Sequence, residues 1–123
     1  MDWDLRSDLP IYSQLTERLT HAIIAGELLP GARLPSVREL ALEAGVNPNT
    51  VQRALTELER QGLVFAHRTA GRFVTEDTAV IGQARLLQAR ERVTEFLSVM
   101  RRQGYTKSEI LALIEGTEEE ESI

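Results

Sequence analysis

The sequence predicts a mainly α fold with one small β-hairpin, on three converging observations. Three amphipathic helical patterns follow one another across residues 10–62, the last two separated by a short glycine-containing turn. Two β-type runs come directly after them, separated by Thr69-Ala70-Gly71. A heptad pattern then continues through residues 79–100. Helix, helix, tight turn, helix and hairpin is the order of a winged helix-turn-helix. The residues beyond the hairpin read as a C-terminal helical dimerisation segment. The expected division is a winged helix-turn-helix DNA-binding domain over residues 1–76 and a dimerisation segment with an acidic tail over residues 77–123.

Each element has its own local signals. Pro10 suits a first helical turn, and Ile11, Leu15, Leu19, Ala22 and Ile23 then share one face. Gly26 is the expected stop, and residues 29–35 form a turn-rich connector. Ser36 followed by Glu39 makes a capping box for the second helix. Val37, Leu40 and Ala41 point inward and Gly45 ends it. Asn47 as N-cap and Pro48 at the first position open the third helix. Val51, Ala54, Leu55 and Leu58 form its apolar stripe, with Asn49, Gln52, Arg53, Thr56 and Arg60 opposite, and Gly62 closes it. Residues 63–68 and 72–75 read as strands. The long helix is expected over Thr78–Arg102. Its seam is Ala79, Gly82, Leu86, Ala89, Val93, Phe96 and Met100, at alternating spacings of three and four. Gly104 stops it. Thr106 with Glu109 then opens a short helix through Ile110, Leu111, Leu113 and Ile114.

Composition narrows the function. The chain has 123 residues, 42% apolar and 27% charged, the range of an ordinary folded domain with an appendage. It has no cysteine, which excludes disulfides, cysteine zinc sites and thiol nucleophiles. No run approaches the roughly 18 apolar residues that span a bilayer. The first four residues are acidic and lack an apolar signal core. A cytoplasmic location with no membrane partner is expected. The net charge of −5 speaks against a nucleic-acid partner until its distribution is considered. Residues 118–121 are four glutamates, a run expected to be solvated and disordered. Within residues 33–72 six arginines face four glutamates, and local charge governs docking on phosphates.

The third helix carries the docking chemistry. Ala41, Gly45 and Val51 stand at the offsets of a helix-turn-helix: small at the crossing, glycine in the turn, β-branched in the core. The second helix of such a motif presents its first turns to base edges in the major groove. Its N-terminus is expected to offer free N–H groups and a positive dipole end to a phosphate. Asn47, Asn49, Thr50, Gln52 and Arg53 occupy those turns. The plain alternative is an ordinary solvated polar face. Asn49 and Gln52 lie one turn apart, opposite Val51 and Leu55, so they are assigned to base edges with adenine favoured. Arg53 is rotated toward the groove wall, to a phosphate or a flanking guanine. Ser36 and Arg38, at the start of the second helix, join the contact set. Arg38 is a cation opposing the helix dipole, and a DNA contact explains it better than stability does. His67, Arg68, Gly71 and Arg72 cluster at the wing, where glycine permits close approach and cations suit phosphates or a narrow groove. Dimerisation is assigned to Leu86, Ala89, Val93, Phe96 and Met100. His67 and His21 lie far apart with no carboxylate pattern to complete a metal site. No metal, cofactor or catalytic residue is expected.

These segments carry a family resemblance. Leu34-Pro35-Ser36-Val37-Arg38-Glu39-Leu40-Ala41, Asn47-Pro48-Asn49-Thr50-Val51 and Leu58-Glu59-Arg60-Gln61-Gly62-Leu63 resemble the DNA-binding domain of the GntR family. Pro10-Ile11-Tyr12-Ser13-Gln14-Leu15 and Gly26-Glu27-Leu28-Leu29-Pro30-Gly31 also match it. The resemblance covers roughly residues 10–76. The Asn47-Pro48-Asn49-Thr50-Val51 motif and the short tail with Gly104-Tyr105-Thr106 are similar to the YtrA-like subfamily in particular. The resemblance implies a bacterial transcription regulator, a repressor that dimerises and binds an inverted-repeat operator. By motif position it gives Arg38, Asn49, Thr50, Gln52 and the Gly71 wing DNA-contact roles. Two departures stand out. Gln52 occupies a place where the family often has arginine, so no base preference transfers. The wing reads Ala70-Gly71-Arg72-Phe73 where the family often has Gly-x-Gly before an aromatic residue, so a stiffer or displaced tip is expected.

Two other function classes compete. Some relatives fuse this domain to an aminotransferase-like, pyridoxal-dependent domain. This chain is too short for that, and its only lysine, Lys107, sits in a capping turn. A winged helix that binds protein instead of DNA would expose apolar residues on the face from Asn49 to Arg60, and none is there. The expected partners are a double-stranded DNA operator, a second copy of the chain, and a small-molecule effector of unspecified identity.

Overall fold

In the computed structural model, which describes residues 1–119, the elements follow in the expected order. They are α1 (Ile11–Ile24), α2 (Val37–Ala44), α3 (Pro48–Arg60), β1 (Val64–His67), β2 (Gly71–Val74), α4 (Thr78–Arg102) and α5 (Lys107–Glu115). The chain divides into two compact units, Met1–Arg85 and Leu86–Ile123. The first turns of α4 therefore belong with the winged unit, where Val80, Ile81 and Ala84 pack against its core.

That core is the sum of the apolar stripes. Leu15, Leu19 and Ile23 of α1 meet Leu40 and Ala41 of α2 and Val51, Ala54, Leu55 and Leu58 of α3. Each fully buried leucine contributes about 1.5–3 kcal/mol relative to exposure. Helix α2 begins with the capping box. The Glu39 amide donates to Ser36 Oγ at 3.1 Å, and the Ser36 amide donates to Glu39 Oε1 at 3.2 Å. It ends at Gly45, whose φ of 68° lies in the left-handed region. A side chain there would meet open space, so alanine at Gly45 would be opposed by backbone conformation alone. This turn sets α3 across α2.

The hairpin differs from expectation by one residue. Val64 pairs with Val74, Phe65 with Phe73, Ala66 with Arg72 and His67 with Gly71. The loop is thus Arg68-Thr69-Ala70, closed by the Ala70 amide donating to the His67 carbonyl at 3.1 Å. Gly71 belongs to β2 rather than to the loop. The connector before α2 is also more ordered than a string of turns. The Leu34 amide donates to the Arg72 carbonyl at 2.8 Å and the Val74 amide to the Ala32 carbonyl at 2.9 Å. Residues 32–34 thereby satisfy the free edge of β2.

In the second unit, Thr106 and Glu109 form the expected capping box at the start of α5. Ile110 is buried, whereas Leu111, Leu113 and Ile114 are exposed. No residue of α4 is buried within the chain. Glu118 and Glu119 of the acidic tail are exposed, and Glu120 and Glu121 lie outside the described residues. No described helix is long and apolar enough to cross a membrane.

Candidate nucleic-acid interface

Helix α3 is two-faced. Val51, Ala54, Leu55 and Leu58 are buried against α1, α2 and β1. Asn49, Gln52, Arg53, Thr56 and Arg60 are exposed on the other side, as the sequence predicts. The side-chain amides of Asn49 and Gln52 have no hydrogen-bond partner among the described residues, so their donors and acceptors remain available to base edges.

The N-terminus of α3 corrects one expectation. Asn47 Oδ1 accepts from the Asn49 amide at 2.8 Å, and the Asn47 carbonyl accepts from the Thr50 amide at 3.0 Å. Pro48 has no N–H. The first turn therefore has no free amide to offer a phosphate, and only the dipole remains. Asn47 and Ser36 both serve as caps in the free protein, each through its side-chain oxygen. Thr50 is half-buried next to Asn47.

The charges sort themselves by pairing. Arg60 donates to both oxygens of Glu57, at 2.6 and 2.9 Å. This pair, with Gln61 adding a hydrogen bond, holds the Glu57 carboxyl down at about 2. Arg72 is half-buried and bonds Glu59 through Nε, linking β2 to α3. Glu39 is engaged in its capping box. Glu43 accepts from Trp3 Nε1 at 3.1 Å, which lowers its pKa. All four glutamates of residues 33–72 are thus occupied. Arg33, Arg38, Arg53 and Arg68 are left exposed with no carboxylate partner among the described residues. A weakly positive stretch thus holds four cations without a carboxylate partner among the described residues. The predicted wing cation Arg72 is held by Glu59 instead, in a strut that fixes the hairpin on α3.

Of the four free cations, Arg33 is the one that sequence reasoning does not find. It lies over Gly71: a Cβ built on that glycine would fall 3.0 Å from Arg33 Nε. Gly71 has φ +103°, so the glycine serves both the backbone and the arginine beside it. Arg53 is an expected site residue with an unexpected support, the ring of Tyr12, 3.6 Å from centroid to guanidinium carbon. At the wing, His67 packs edge-on between Phe65 and Phe73, with centroids at 5.2 and 5.1 Å. Arg68 stands in the loop beyond them. No group of three or more acidic or histidine side chains among the described residues could hold a metal.

Comparison with known proteins decides the family. The description "Bacterial regulatory proteins, gntR family" matches residues 11–74. The chain belongs to the gntR family. This GntR protein is 40% identical over 111 residues to the HTH-type transcriptional regulator YhcF of Bacillus subtilis, covering 90% of this chain and 92% of YhcF. It is 43% identical over 74 residues to the transcriptional repressor YtrA of the same organism, covering 60% and 57% of the two chains. Its fold matches a GntR family transcriptional regulator from Listeria monocytogenes with a TM-score of 0.83 and 35% identity, covering 93% of this chain and 100% of that one. The DNA-binding domain of AraR, solved in complex with operator ORE1, matches with a TM-score of 0.53 and 32% identity, covering 61% of this chain and 94% of that one. This GntR chain is accordingly a YtrA-like transcriptional regulator with a winged helix-turn-helix.

Proposed function

We propose that this GntR regulator binds a double-stranded, inverted-repeat operator as a homodimer in the cytoplasm and represses transcription from it. The observation that carries the reading is the exposed face of α3, with Asn49 and Gln52 free for base edges, together with four arginines on α2, α3, the wing loop and the strand-pairing connector that have no carboxylate partner among the described residues. The AraR domain solved on its operator supports it, and the repressor YtrA supports the direction of regulation. In this reading Asn49 and Gln52 read bases, and Thr50 lines the groove. Arg33, Arg38, Arg53 and Arg68 hold phosphates. His67 and Gly71 shape the wing. Ser36, Asn47 and Arg72 act by fixing the helix starts and the hairpin. Residues 1–76, with the first turns of α4 packed on their core, form the reading domain. Residues 77–123 form the dimerisation segment through Leu86, Ala89, Val93, Phe96 and Met100.

The electrostatics give a direct test. Four arginines per subunit would neutralise about eight phosphates in a dimer, so log K should fall with log salt at a slope of roughly −7. Arg68→Ala should weaken all duplexes alike and flatten the slope by about two for the dimer. A titration at several salt concentrations measures both. An affinity that does not change with salt would refute the assignment.

A further inference from the structure

We propose that Tyr12 is a positioning residue for DNA binding: it holds the Arg53 guanidinium as a fixed fork for a backbone phosphate. The inference rests on the DNA-binding reading above. Arg53 lies on the exposed face of α3, and its Cζ sits 3.6 Å from the centre of the Tyr12 ring. Tyr12 belongs to the first turn of α1, the helix packed along α3, and is half-buried.

The kind of partner matters. Arg60, on the same helix, is oriented by a carboxylate, and its Nε–Nη2 fork is taken up by Glu57. An aromatic face orients a guanidinium without using its donors. The stack covers one side of the plane and leaves the five N–H groups pointing outward along its edge. No hydrogen bond or ion pair to the Arg53 guanidinium occurs among the described residues. A long side chain ordered before binding loses less freedom when it binds. Tyr12 thus presents a cation that is already aimed and still unsatisfied.

Position selects the ligand. Arg53 stands one turn after Asn49, about 40° around the helix axis on the side away from Gln52, and its guanidinium leans onto Tyr12 of α1. That direction is the groove wall, where paired phosphate oxygens match the arginine fork.

The test is a set of titrations against one mixed-sequence duplex, for the full chain. Tyr12→Phe should bind within two-fold of wild type, because the ring remains and the Tyr12 hydroxyl has no partner among the described residues. Tyr12→Leu should weaken binding about two- to five-fold per subunit, with an unchanged salt slope because the cation stays. Arg53→Lys should behave likewise, since it keeps charge but loses the planar fork. Arg53→Ala should also flatten the slope. In the Arg53→Ala background, Tyr12→Leu should have no further effect. Equal weakening by Tyr12→Leu in both backgrounds would mark Tyr12 as merely structural and overturn the proposal. So would wild-type binding by Arg53→Lys, which stands even if Tyr12→Leu does not fold. A loss confined to a selected operator, absent on the mixed duplex, would overturn the phosphate assignment. If wild type binds no duplex at all, the DNA-binding reading itself fails, and this inference with it.

Discussion

Replacing both Val93 and Phe96 by glutamate should turn the protein from a dimer into a monomer at micromolar concentration. It should also weaken binding to an inverted-repeat duplex by roughly two to four orders of magnitude. The two residues are consecutive seam positions on α4, 55% and 44% exposed within the chain. Burying side chains of this size contributes about 1.5–3 kcal/mol each, and a two-fold interface buries both twice. The substitution removes that contribution and places four carboxylates in an apolar contact, where charge is strongly disfavoured. Neither residue belongs to the core of the winged unit, so that unit should keep its thermal transition. The loss of affinity follows from linkage, since a dimer engages its second half-site from a high effective concentration. Sedimentation velocity reads the assembly and a titration reads the affinity. A double variant that remains dimeric, or a wild-type chain that is monomeric, removes α4 from the interface.

Gln52→Ala should weaken binding to the selected operator by about 1–3 kcal/mol, close to 5- to 150-fold, and binding to a scrambled duplex far less. Gln52 is exposed and its side chain is free, so the substitution disturbs no contact within the chain. Its backbone carbonyl still accepts from Thr56 Oγ1 at 2.9 Å. Truncation leaves the base unpaired, and this penalty exists only where the base matches. Arg53→Ala should affect both duplexes more evenly, because its proposed partner is a phosphate. Each variant is titrated against both duplexes at one salt concentration. If Gln52→Ala lowers both affinities equally, or neither, α3 sits in the groove in a different register.

Local features are legible in the sequence, and distant pairings are not. The caps at Ser36, Asn47 and Thr106, and the bounds of α4, depend on residues a few positions apart, so local chemistry suffices to read them. The occupied amides at the start of α3 were also readable, because a capping asparagine and a proline stand there side by side. The Arg72–Glu59 pair and the Arg53–Tyr12 stack join different elements and leave no periodic trace. Arg33 over Gly71 depends on the connector pairing with β2, which a turn-rich composition conceals. The net effect on the site is specific. Counting charges along residues 33–72 finds a small excess, whereas pairing them in space separates two neutralised arginines from four free ones. The seam of α4 shows that Leu86, Val93 and Phe96 need cover, and a periodic pattern cannot name what provides it.

Two copies of this chain are proposed to read an inverted repeat through the exposed face of α3. The decisive experiment is enrichment of bound sequences from a randomised duplex pool, with wild type and Gln52→Ala run in parallel. Wild type should select a two-fold symmetric site, and Gln52→Ala should weaken the preference at one position in each half. Recovery of no preferred sequence, or of a single asymmetric site indifferent to Gln52, would contradict the proposal.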